Sequence, residues 1–351
     1  MKNILCPPIL LAAFLFCPGL LAQDYGDALV SGSIADARTL VPILASDSAS
    51  AEVCGMIFNG LVKYDKDINL VGDLAESWEI QDDGLTIIFH LRKNVFWQDG
   101  APFSAADVEW TYQKLIDPSV PTPYSGDFLQ VQSLEVVDPY TVKVTYLEPF
   151  APGLASWGMP IMPKHIPFSG WPVALAIGTG PYKFKSWKSQ EKIELAANAN
   201  YFEHAPFISR WIYRVIPDEA ALFLELQAHG IDLSGLTPLQ YQRQTDSGFF
   251  KENYRKFRLQ SFGYTYLGYN LDNPLFKDIR VRQALNYAVH KEEIIKGALL
   301  GLGRVCTGPF VPESWAYNQE VQPADFSPQK AKELLLAAGW QDSDNDGWLD
   351  K

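Results

Sequence analysis

VGDLAESWEIQDDGLTIIFHLRKNVFWQDGAPFSAADV, residues 71–108, reads as one folded unit in which nearly every position has an assignable task. Thr86 to Leu91 alternates as a half-buried strand, Asp99-Gly100 is a turn dipeptide, and Ser104 with Asp107 opens a helix as a capping box. A strand, a tight turn and a capped helix in this order describe an α+β module.

Working outward, Thr141 to Leu147 supplies another strand of the same module, and the capped helix is expected over Ala105 to Leu115. Pro-rich loops lie at Pro118 to Pro123 and Pro149 to Pro152. Before the module come a strand at Ala28 to Ser33 and a helix from about Ser50 to Leu61, with Asn59-Gly60 at its exit. After it, GTGPYKF (178–184) is a turn leading into a strand, with glycine expected to supply positive φ. No lysine-serine pair opens a helix there, so a phosphate cradle is disfavoured. Ile193 to Ala197 and Trp211 to Ile216 are strands, and Asp218 caps a helix that Gly230 ends. From Tyr264 a new register begins, with one helix expected from Ile279 to Lys296 and another from Ser327-Pro328 to Gly339.

Lys2, the apolar run Ile9 to Phe16, Pro18-Gly19 and Leu20-Leu21-Ala22 have the layout of a secretory signal peptide cleaved near Ala22. The apolar run falls short of the roughly 20 residues that a bilayer requires, which favours export over a spanning anchor. Phe16 before Cys17 and Pro18 after it depart from a lipoprotein signal, so a soluble form is expected over lipid attachment at Cys17. Cys6 and Cys17 lie in the leader, leaving Cys54 and Cys306, read as two unpaired buried thiols rather than a disulfide framework. The net charge of −12 makes nucleic acid an improbable partner and suits a soluble monomer. With 47% hydrophobic and 13% aromatic residues, the 351-residue chain can bury more than one core.

The ordered blocks IFNGLVKYD (57–65), DLAESW (73–78), FHLRKNVFWQDGAPFSAADV (89–108), GTGPYKF, NANYF (198–202), RVIPDEAA (214–221), DIRVRQALNYAVHKEEI (278–294) and KAKELLLAAGW (330–340) resemble family 5 of the bacterial extracellular solute-binding proteins. This family includes the oligopeptide-, dipeptide- and nickel-binding components of ABC importers. The resemblance implies a mixed α/β fold in a two-lobed clamshell. Domain I would combine 27–58 with 165–263, the inserted α+β domain II would be 59–164, and domain III would begin at 264 and be incomplete at Lys351. It also implies a small solute, peptide first and oligosaccharide or nickel chelate next, delivered to the membrane subunits of an ABC permease from the periplasm or cell surface, with no cofactor. The family's acidic anchor for a peptide amino terminus falls in a later segment without a counterpart here.

Within the resemblance, the loop Ala45-Ser46-Asp47-Ser48 would line the cleft, its backbone pairing with an extended peptide. Trp157 in SWGMP (156–160) is a candidate aromatic wall, and Tyr264 and Tyr266, on a strand entering domain III, could face the ligand. Trp78, Phe89, Leu91, Phe96, Val108 and Trp110 are expected in the core. Asp342, Asp344, Asp346 and Gly347, with Asp350, follow the spacing of a calcium loop whose twelfth position falls beyond Lys351. The five histidines show no HExxH or paired ligand spacing. Neither a GxSxG elbow nor a cysteine nucleophile motif is present, which leaves an exported peptidase as the weaker class.

Overall fold

The computed structural model describes residues 26–81, 83–168, 176–258, 263–314 and 316–350. The expected leader, with Cys6 and Cys17, lies outside them. Two compact units divide between Ser234 and Gly235.

The strands of the first unit are β1 (Gly26–Ser33), β2 (Val62–Tyr64), β3 (Leu70–Gly72), β4 (Ala75–Ile80), β5 (Thr86–Leu91), β6 (Val131–Asp138), β7 (Thr141–Tyr146), β8 (Tyr182–Lys188), β9 (Lys192–Ala197), β10 (Ile208–Val215) and β11 (Leu233–Ser234). They form a five-stranded sheet in the order β11-β1-β10-β9-β8, a β2-β3 ribbon, and a four-stranded sheet in the order β4-β5-β7-β6. β1 runs parallel to β10 and β11, whereas the four-stranded sheet is antiparallel throughout. The mixed sheet is built from chain on both sides of the antiparallel one.

The antiparallel sheet buries Ile87, Phe89 and Leu91 on β5 opposite Val142, Val144 and Tyr146 on β7. Alternation therefore points one face inward, as period-two patterning requires. The helix Ala105–Leu115 covers that face with Ala105, Val108, Thr111 and Leu115, a spacing of three to four residues that keeps them on one side. Asp107 closes its first turn by accepting from Ser104 N at 2.9 Å, and its other oxygen accepts from Lys164 N at 2.9 Å. One cap thus fastens both the helix start and the returning chain. Both strand and helix have the bounds read from the sequence.

The helix Ser48–Ile57 packs on the mixed sheet through Val53, Cys54 and Ile57, joined by Ile193, Leu195 and Tyr213. It begins two residues earlier and ends four earlier than expected. Its C-terminal end is pinned to the antiparallel module. Gln98 Nε2 donates to Ile57 O at 3.3 Å and to Tyr182 O at 2.7 Å, and Gln98 N donates to Gly178 O at 2.9 Å. Beside it, Asn59 donates to Asp73 at 2.9 Å and accepts from Thr179 Oγ1 at 3.0 Å. Burial raises the Asp73 carboxyl, with Asn59 and Lys63 opposing that rise.

Four local expectations need correction. Gly178 and Gly180 do not have positive φ; a Cβ would stand 1.8 Å from Ile57 O at Gly178 and 2.6 Å from Ile57 C at Gly180, so glycine permits close backbone approach. After the helix Glu219–Gln227 the left-handed residue is His229 (φ 58°), while a side chain at Gly230 would strike Glu225, which holds Arg214 at 2.7 Å. Phe96 is 54% exposed and its neighbour Trp97 is the buried ring, because Phe96 faces outward where it bridges Pro102. Phe89, Leu91 and Val108 are fully buried and Trp78 and Trp110 partly so.

The second unit contains the helices Ile279–Ala288 and Pro328–Ala337, with Val281, Ala284 and Ala331 buried. The expected single helix to Lys296 is broken: Val289 is extended, and His290 Nδ1 accepts from Glu293 N at 3.3 Å to start a second helix, Lys291–Gly297. Ser327 caps the last helix and Gly339 ends it with φ 89°, as expected. Cys54 is buried and both thiols are free, but Cys306 is exposed, against the expectation of two buried thiols.

Candidate functional site

The chain leaves β1 and descends through Pro42–Leu44 to the loop that starts the helix Ser48–Ile57. Asp47 Oδ1 accepts from Ser50 N at 2.8 Å and its Oδ2 from Ser50 Oγ at 2.7 Å. Ser50 Oγ in turn accepts from Arg38 N at 2.8 Å and Thr39 N at 3.2 Å. Burial would raise the Asp47 carboxyl, but the two Ser50 donors, with its own backbone N–H and the Arg38 charge, more than offset it and hold it below the usual carboxylate range. Asp47 is therefore occupied as a helix cap. Ala45 is buried, and its carbonyl accepts from Tyr124 Oη. Of the four expected contact residues, Ser46 and Ser48 are the exposed ones.

Tyr124 belongs to the loop before β6, which approaches the helix from the antiparallel module. Beside it Asp127 Oδ2 accepts from Ser156 Oγ at 2.6 Å. Ser156 also donates to Pro152 O at 3.0 Å, which fixes the SWGMP segment. Trp157 is not a wall. It is 1% exposed, its Nε1 donates to Tyr146 Oη at 3.1 Å, and its ring meets Phe128 edge-on at 5.2 Å. The segment turns its small and thioether members outward instead.

A cavity of ≈460 Å³ lies between these three walls. The helix contributes Ala51, Cys54 and Gly55, the module Tyr124, Asp127 and Phe128, and the SWGMP segment Ser156, Gly158 and Met159. Nothing approaches within 4 Å of the place where a Gly55 side chain would begin. Burial first, and then the charge of Asp47, push the Cys54 thiol up to about 12, so at neutral pH it is an apolar wall group rather than a thiolate. A volume of this size with apolar walls and few polar atoms suits a side chain or a small organic group.

Sequence reasoning named Ala45 and the SWGMP segment as candidate contacts, and both line this cavity; it did not single out Tyr124, Asp127, Cys54 and Gly55, which line it too. These come from distant stretches, and only the Pro-rich character of 118–123 hinted at an ordered loop there.

Tyr264 and Tyr266, in the second unit, are 45% and 74% exposed and their ring centroids lie 5.4 Å apart. Residues 263–270 form no strand, which corrects that expectation. Asp342, Asp344 and Asp346 bring carboxylate oxygens within 4.8 Å of one another, while Asp350 accepts from Ser343 Oγ at 2.6 Å instead of joining them. Among the described residues no histidine enters such a group; His165 pairs with Asp99 at 2.7 Å and His90 with Glu79 at 3.3 Å.

Residues 69–349 match the middle region of the bacterial extracellular solute-binding proteins, family 5. The oligopeptide-binding protein AppA of Bacillus subtilis is 34% identical over 94% of this chain and 62% of its own length. Heme-binding protein A of Haemophilus influenzae is 32% identical over 84% of this chain and 58% of its own. This chain thus spans about three fifths of the curated relatives it matches. Among solved structures, AppA in complex with a nonapeptide aligns with a TM-score of 0.78 at 32% identity, covering 94% of this chain and 67% of that one. NikZ of Campylobacter jejuni in complex with Ni(L-His) aligns with a TM-score of 0.81 at 32% identity, covering 93% and 65%. Together with the mixed α/β architecture, the match over 69–349 makes this chain a member of family 5 of the bacterial extracellular solute-binding proteins.

Proposed function

We propose that this chain forms the solute-capturing part of an extracytoplasmic receptor that takes up peptides and hands them to the membrane subunits of an ABC importer. The observation that carries the reading is its 34% identity, over 94% of its length, to an oligopeptide-binding protein. The ≈460 Å³ cavity supports it, being sized and lined for a side chain. Residues 27–58 with 165–263 act as one lobe, 59–164 as an insertion in it, and the chain from 264 as the start of another domain. A ligand touching more than one lobe favours the closed state by its differential affinity.

The likeness to a nickel-histidine receptor favours a second reading, a metal chelate. Native mass spectrometry of the complete gene product, purified without added ligand, separates the two. A series of peptide masses released on denaturation is the expected result; a nickel chelate or a tetrapyrrole would overturn it. Incubation with a peptide library tests the weaker enzymatic reading: peptides should be retained intact, and their cleavage would contradict a receptor.

A further inference from the structure

We propose that Asp127 makes the cavity selective for a cationic side chain of the bound peptide, lysine or arginine. This rests on the reading of the protein as a peptide receptor and deepens it.

Among the residues that line the cavity, Asp127 carries the sole charge; the remainder are apolar, glycine, or the hydroxyls of Tyr124 and Ser156. Its carboxylate is exposed, accepts one hydrogen bond from Ser156 at 2.6 Å, and makes no ion pair among the described residues. A carboxylate accepts at two oxygens, so one bond from Ser156 leaves it capacity for a ligand donor. The electrostatic surroundings agree. After burial, the charge of Asp47 helps to raise the cavity's Tyr124, and Asp127 adds to the burial that raises Tyr146 to about 12 behind the Ser156 wall. Both carboxylates are anionic. Arg38 offsets Asp47 in part and does not line the cavity. A glutamate side chain, a peptide carboxyl terminus or a carboxylate-borne chelate would meet repulsion here, and an ammonium or guanidinium would meet attraction at the mouth of an apolar slot that accommodates its methylene stem.

The test is calorimetric titration of the complete gene product with tetra-alanine peptides carrying lysine, leucine or glutamate at each position in turn, each with a free and an acetylated amino terminus. At its best position lysine should bind about tenfold more tightly than glutamate at low salt, and the ratio should shrink as salt is added. Lysine should keep this advantage when the amino terminus is acetylated; an advantage lost on acetylation would assign the effect to the terminus and overturn the proposal. Asp127→Asn retains an acceptor for Ser156 and should bring the lysine-to-glutamate ratio to about one without loss of melting temperature. Ser156→Ala, which frees the carboxylate, should leave the preference in place. Equal binding of lysine and glutamate peptides, or a preference that survives Asp127→Asn, would overturn the assignment while leaving peptide capture intact. Failure of every peptide to bind would instead remove the peptide reading on which it stands.

Discussion

The stretch 71–108 and the cavity wall are built by opposite routes. Within the first, Thr86–Leu91 pairs with Ala75–Ile80, Asp99 accepts from Ala101 N at 3.1 Å, and Ser104 and Asp107 satisfy one another, all within a few residues or one hairpin. The cavity wall joins residues 42–55, 123–128 and 155–160, and Gly60 lets the chain come close to the backbone of Gly158 in that wall. Local chemistry makes the first legible from sequence; the second exists only after folding. Rigidity and the proposed recognition are thereby separated: the module holds the wall, and the wall is the surface proposed to meet the solute.

Substitutions can break that separation, and Trp157 is where the largest effect is expected. Its indole is 1% exposed among Phe89, Phe128 and Tyr146, so Trp157→Ala should cost about 3–5 kcal/mol in chemical denaturation. Normal stability with lost ligand binding would make Trp157 a wall residue after all. Gly178→Ala places a Cβ 1.8 Å from Ile57 O and should cost about 1–3 kcal/mol through backbone displacement, seen in the same measurement. An unchanged midpoint would show that the backbones at Ile57 and Gly178 are not in close contact.

Asp47 separates cap from ligand contact. Asp47→Ala should destabilise by about 1 kcal/mol at neutral pH. Because its folded-state carboxyl lies below the usual range, the stabilisation is fully present above the ordinary carboxylate pKa and lost as pH falls through the lower folded value. The gap between wild type and Asp47→Ala should therefore close below about pH 4. A gap that persists there would assign the loss to packing instead of to the charged cap.

The strand Thr86–Leu91 and the helix Ala105–Leu115 were readable to the residue because alternation and a capping box act within one turn or one strand. Misreadings occurred where a second segment decides the outcome. Glycines 178 and 180 answer to Ile57 rather than to their own φ, and Gly230 answers to the Arg214–Glu225 pair. Trp97 is buried in place of Phe96 because the chain at Pro102 turns Phe96 outward. The break at Val289-His290 depends on a histidine cap that helical periodicity does not reveal. Likewise Ala45 was legible as a candidate contact from family resemblance, but Asp127 and Gly55 become wall residues only when three segments converge.

The most direct test uses Gly55, which sits inside the helix Ser48–Ile57 facing open space. Gly55→Leu should leave the melting temperature equal or slightly higher, since replacing a helix-interior glycine gains up to about 1 kcal/mol, while its side chain fills the cavity. Calorimetric titration with the peptides found in the wild-type protein should then show affinity reduced at least about tenfold, as steric overlap in a formed pocket requires. Unchanged affinity in a variant of undiminished stability would mean that the solute binds elsewhere.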